Sequence, residues 1–207
     1  MTRRAYKKRV RAAREATTRT RILDAALGLW ADVGPAASSI TAVASRARVQ
    51  RLTIYRHFGD EASLNSETWK HFEKSHASPD PAEWAAIADP AKRLRRALRS
   101  LYAFYRENRP TLERVLPEAG QVGSLANALT SHRRYTDGIV ATLEPGWSPR
   151  SRNRRQLLAA AFEHAVRFST WQSLADAGLD DRDGARFVER LIRALARKTR
   201  KVSGKNP

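Results

Sequence analysis

The amino-acid sequence predicts an all-helical protein of about nine helices, and three observations lead there. Apolar residues recur at i, i+3, i+4 and i+7 along most of the 207 residues, the period of a helix face. Pro, Gly, Asp and Ser gather in the gaps between these stretches, where helices stop and start. No stretch alternates apolar and polar residues as a half-buried strand would, and no internal repeat is present.

The elements follow in order. Residues 1–17 are densely charged with weak periodicity and are read as a flexible basic arm. From Ile22 the positions Ile22, Ala25, Ala26, Leu29, Trp30 and Val33 mark one face of a helix, which Thr17 or Thr18 can cap and Gly34-Pro35 stops. Ser38 or Ser39 can cap a second helix with Ile40, Val43, Ala44 and Ala47 on its inner face. A short turn, Arg48-Val49-Gln50, leads to a third helix near 51–58, anchored by Ile54, Tyr55 and Phe58. Gly59 ends it, and Asp60 can cap a fourth helix carrying Leu64, Trp69 and Phe72.

Beyond the break at 77–81, Asp80-Pro81 with Glu83 resembles a capping box with proline at the first helical position. Asp89-Pro90 repeats the signal and opens a helix with Leu94, Leu98, Leu101, Tyr102 and Tyr105. Asn108-Arg109-Pro110 breaks it, and a short helix runs to Glu118. After Gly120 and Gly123 a helix with Leu125, Leu129 and Ile139 reaches Leu143. Residues 144–149 form a loop in which Ser148 can cap the next helix. A single long helix over 151–176 is expected, apolar on more than one face, and a final helix carries Phe187, Val188, Leu191, Ile192 and Leu195.

Charge narrows the partners. The net charge is +18, and residues 1–60 carry 13 Lys/Arg against 4 Asp/Glu, half of that excess in under a third of the chain. A polyanion is the natural counterpart, bound with a steep salt dependence; the alternative is solubility alone. Cysteine is absent, which excludes disulfides, thiol catalysis and cysteine-bound zinc and is compatible with a cytoplasmic location. No apolar run reaches the ~20 residues of a membrane span.

The segment 36–58 carries the most specific chemistry. Two short helices crossing steeply need small facing residues, which Ala44 and Ala47 supply, and an apolar plug in the turn, which Val49 supplies. The third helix then offers Gln50, Arg51, Thr53, Arg56 and His57 outward. Gln and Arg can pair bidentately with base edges and Thr can meet a thymine methyl, so such a helix suits a major groove. Tyr55 is read either as a core aromatic or as a phosphate contact, and His57 and the arginines either as contacts or as a solvated face.

Residues 22–64 resemble the DNA-binding domain of the TetR family of transcription regulators. The resemblance rests on Ile22-Leu23-Asp24-Ala25-Ala26, on Ile40-x-x-Val43-Ala44 and on Thr53-Ile54-Tyr55-Arg56-His57-Phe58, in order and at the right spacing. It implies a three-helix DNA-binding head, an all-helical effector domain and a homodimer built through the last two long helices. It also implies that Ser39, Thr41, Gln50, Arg51, Leu52, Thr53, Tyr55, Arg56 and His57 lie near DNA. Three departures stand out. Arg48 occupies a turn position often held by Gly, Leu52 replaces a frequent Gly or Pro, and Glu61 stands where a lysine is common. The basic arm can compensate by reaching along the minor groove.

The expected organisation is an arm (1–17), a helix-turn-helix domain (18–64), a helical ligand-binding and dimerisation domain (65–200) and a basic tail (201–207). Candidate effector contacts are Trp69, Phe72, Tyr102, Tyr105, Phe162 and Glu163, with His132 and His164 as further polar handles; ordinary core packing is the competing reading for the aromatics. They suit a small apolar or aromatic molecule. No cofactor or metal is expected and no catalysis: HExxH, GxSxG and glycine-rich phosphate loops are all missing. The expected function is a ligand-responsive repressor on a near-palindromic double-stranded operator, with a sequence-indifferent architectural DNA-binding protein as the alternative.

Overall fold

The structure, a computed structural model, describes residues 3–149 and 151–196, and of residues 3–5 the backbone alone. Among the described residues it is all-helical: eleven α-helices and one 3-10 turn. The helices are α1 (Arg3–Val33), α2 (Ile40–Arg46), α3 (Arg51–Phe58), α4 (Glu61–Ser75), α5 (Ala82–Ala85), α6 (Pro90–Glu107), α7 (Arg109–Glu118), α8 (Ala126–Leu143), α9 (Arg152–Ala165), α10 (Phe168–Asp176) and α11 (Asp181–Ala196). The basic tail expected at 201–207 lies outside the described residues.

Two compact units result, and neither is contiguous in sequence. One joins the described residues up to Ser78 with Asn108–Arg133; the other joins Pro79–Glu107 with the described residues from Arg134 onward. The division therefore does not fall at residue 64, because α7 and the first half of α8 belong with the N-terminal helices. In the first unit α1 packs against α2, α4 and α7; in the second α6 packs against α11, α10 and α5, and α11 against α9.

Several expectations are corrected. The first helix does not start at Thr17 or Thr18 but runs from Arg3, and the Thr17 hydroxyl donates back to the Ala13 carbonyl at 2.9 Å. Residues 3–17 contain no Gly or Pro and consist largely of Ala, Arg, Lys and Glu, good helix formers, so propensity carries the helix through the stretch assigned to an arm. Ser151, not Ser148, caps α9 by accepting from the Arg154 N–H.

The segment 151–176 is two helices, which is one reason the count exceeds nine. Val166 ends α9, and Arg167 is extended (φ −76°, ψ 142°) before α10 begins. A helix break inside a core frees carbonyls that must find donors. Here the Thr170 hydroxyl donates to the His164 carbonyl at 2.6 Å, Tyr102 to that of Ala165 at 3.0 Å and Tyr105 to that of Val166 at 2.6 Å. Both tyrosines are fully buried. Burial pushes both phenols well above their ordinary range, so each keeps the proton that it donates. Tyr105 also meets Phe168 edge-on, with ring centroids 5.4 Å apart.

Tyr105→Phe leaves the Val166 carbonyl buried without this donor. A loss of about 1–2 kcal/mol in unfolding free energy is expected, measured by urea denaturation followed by circular dichroism.

Candidate nucleic-acid interface

The α2–turn–α3 unit rests on one apolar cluster. Ile22, Ala26, Ile40, Val43, Ala44, Ala47, Ile54, Phe58 and Leu64 are all buried in it, with Leu29 and Val49 packed at its edge. Ala44 and Ala47 face inward as the steep crossing requires. The Ser39 hydroxyl accepts from the Ala42 N–H at 3.2 Å and so caps α2, while Ser38 is buried and donates to the Gly34 carbonyl at 2.7 Å. Asp60 caps α4, accepting from the Ser63 N–H at 2.7 Å, and that backbone bond holds its carboxyl below the usual range.

The turn itself is a Schellman closure. The Val49 N–H donates to the Ala44 carbonyl at 3.0 Å and the Arg48 N–H to that of Ser45 at 3.1 Å. The residue between helix end and plug must then be left-handed, and Arg48 has φ +52°. Glycine takes this conformation without steric cost; a side chain is strained by about 1 kcal/mol or more.

With Ile54 and Phe58 turned in, the outer side of the unit is open. Ser39, Thr41, Gln50, Arg51, Leu52, Tyr55 and Arg56 are exposed, and Thr53 and His57 are half-buried. Leu52, 75% exposed, is the most exposed of the large apolar side chains among the described residues, ahead of Tyr6 on α1, and Tyr55 is 40% exposed, so its ring is not sealed in the core. Gln50 is the N-cap of α3, and Arg51 and Leu52 are its first residues.

Arg19 fixes the helices behind this surface. Its guanidinium sits 4.4 Å from the centre of the Phe58 ring, donates to the His57 carbonyl at 3.2 Å and pairs with Glu67 at 2.5 Å. On the other side, the Glu118 carboxylate on α7 accepts from the Ala36 N–H at 2.8 Å, and Arg114 donates to the Ala31 carbonyl at 3.2 Å. Glu118 lies where a Cβ on Gly34 (φ +86°) would sit, so that turn admits only glycine without rearrangement.

The candidate effector residues are distributed differently. Trp69 and Phe72 are buried and stacked on α4, centroids 5.1 Å apart, in the first unit. Tyr102, Tyr105 and Phe162 are fully buried in the second, where Phe162 meets Trp147 edge-on. Glu163 and His164 are exposed on α9. Burial lowers the pKa of His132 below its ordinary value. The sequence reading missed the structural duty of the two tyrosine hydroxyls; their i, i+3 spacing on α6 is the one trace of it. Among the described residues, no three His, Asp or Glu side chains gather as a metal site requires, and no helix is long and apolar enough to cross a membrane.

Among the described residues, a three-helix head with a polar, cationic outer helix on an all-helical chain has a helix-turn-helix arrangement. Residues 22–67 match the family model of the bacterial regulatory proteins, tetR family, so this stretch is similar to the segment that model describes. No curated protein matches the sequence. Among solved structures, a TetR-like transcriptional regulator from Rhodococcus sp. RHA1 superposes with a TM-score of 0.67 at 22% identity, covering 88% of this chain and 98% of that one. A second regulator from Rhodococcus sp. Rha1 gives 0.60 at 20% identity over 86% and 95%. The TetR family transcriptional regulator PfmR from Thermus thermophilus gives 0.57 at 17% identity over 87% and 100%. At such identities the likeness is one of fold.

Arg48→Gly relieves the left-handed strain, and a gain of up to about 1 kcal/mol in unfolding free energy is expected. Urea titration of the full chain measures it; a loss would mean that the Arg48 side chain makes a compensating contact.

Proposed function

We propose that this chain is a dimeric, ligand-responsive transcriptional repressor of the cytoplasm, released from a near-palindromic operator by a small apolar or aromatic effector. The observation that supports this most is the exposed outer side of α2 and α3 over a buried base. Arg51 and Gln50 are assigned to base edges, Leu52 and Thr53 to thymine methyls, and Ser39, Thr41, Tyr55, Arg56 and His57 to phosphates and the groove rim. Candidate effector contacts are Trp69 and Phe72 within the first unit and, separately, Tyr102, Tyr105, Phe162 and Glu163 within the second. The two tyrosine hydroxyls are engaged by carbonyls, so those residues would offer ring surface rather than hydrogen bonds. An effector acts only through its different affinity for the DNA-competent and incompetent states.

The dimer is assigned to α9 and α11. Leu157 on α9 and Phe187 and Leu191 on α11 are about half exposed, and Phe187 and Leu191 stand one turn apart. Apolar side chains repeated outward on helices that already bury their inner faces suit a self-complementary contact.

Three experiments test the reading. Selection from a random duplex pool followed by footprinting gives a discrete two-half-site footprint if the chain is a regulator; equal binding to every duplex would favour the architectural alternative. Within that site, Arg51→Ala costs about 1–3 kcal/mol of binding and relaxes preference at one base position; an equal loss on every sequence reassigns Arg51 to a phosphate. Phe187→Glu with Leu191→Glu converts a dimer to a monomer in sedimentation velocity, and an unchanged sedimentation coefficient would move the interface elsewhere.

A further inference from the structure

The N-terminal part of α1 is the most strongly charged feature that the regulator fold does not require. We propose that it acts as a rigid clasp: this helix and the last turn of α3 form two walls of a groove that holds the sugar-phosphate backbone of one DNA strand. The proposal rests on the DNA-binding reading above and adds a second, sequence-independent contact to it.

Lys7, Arg11 and Arg14 recur at i, i+4 and i+7 and so share one face of α1. That face lines the same groove as Arg56 and His57 from α3. The stripe spans about 10 Å of helix, or about three base steps of duplex. Glu15 also lines the groove, and Arg11 holds its carboxylate at 3.2 Å, so cations dominate there. The Nε2 atom of His57 is buried with no hydrogen-bond partner among the described residues.

The helical form decides how the segment can meet DNA. An α-helix with its side chains is about 10–12 Å wide, whereas the minor groove is about 6 Å across. As a helix this stretch cannot thread the minor groove in the way a flexible arm would. It can lay its cations along the phosphate rim beside the groove that α3 occupies. Arg19, bonded to the His57 carbonyl and seated on Phe58, sets the direction in which α1 leaves the head.

The test uses the full chain and two probes: a duplex that the unaltered protein selects from a random pool, and the same duplex scrambled. Affinity is measured by fluorescence anisotropy over a series of salt concentrations. Replacing Lys7, Arg11 and Arg14 together by Gln is expected to make the slope of log K against log salt shallower by about 2.7, at about 0.9 per lost phosphate contact. The change is the same on both duplexes, so the preference between them is retained. Ala12→Pro, which keeps every charge but breaks the helix, is expected to flatten the slope as well. A selected duplex bound by the triple variant with an unchanged slope overturns the clasp and leaves the regulator reading standing. An unchanged slope with Ala12→Pro returns the segment to a flexible tail and also overturns it. Failure of the unaltered protein to bind any duplex overturns both readings.

Discussion

Helices of seven and eight residues do not persist alone in water, because so few hydrogen bonds cannot offset the entropy of nucleating them. Everything the head presents to a partner rests on that constraint. The outer residues of α3 are held in place only because Ile54 and Phe58 are driven into a cluster completed by Ile22 and Ala26 of α1, Val43 and Ala44 of α2 and Leu64 of α4. The apolar positions thus set the angle of the polar ones. Directional contacts refine what burial builds. Arg19 ties three helices at one guanidinium, and Ser39 and Asp60 satisfy helix ends that would otherwise present bare N–H groups.

How much of this was legible depends on the range of the interaction. The helix faces around Ile40, Val43, Ala44 and Ile54 were readable because burial imposes its period on neighbouring positions. The turn was readable too: the departure at Arg48 from a frequent Gly matches its positive φ. The helical extension of α1 is hidden by its charge density, although its helix propensity carries it. The break at Val166–Arg167 left no mark because the apolar pattern continues across it. Its cause is tertiary, in hydroxyls more than sixty positions away on α6. The non-contiguous units were illegible for the same reason: a carboxylate on Glu118 and the amide of Ala36 are 82 positions apart.

The electrostatics of the head are a compromise. Asp60 and Glu61 favour the start of α4, since acidic groups suit a helix N-terminus. The same pair places two carboxylates just beyond the end of α3. The cations of α1 line a groove together with Arg56 and add positive charge on that side without disturbing the cap.

The bonds from α7 to the loop before α2 carry one more consequence. Glu118 and Arg114 satisfy backbone groups at Ala36 and Ala31, so the N-terminal helices are not a detachable module that ends where their sequence motif ends. Recombination that exchanged this head for a relative's at the motif boundary would strand polar groups on both sides of the junction. Change on this scaffold is thereby steered toward point substitutions on the outer side of α3, and away from wholesale exchange of parts.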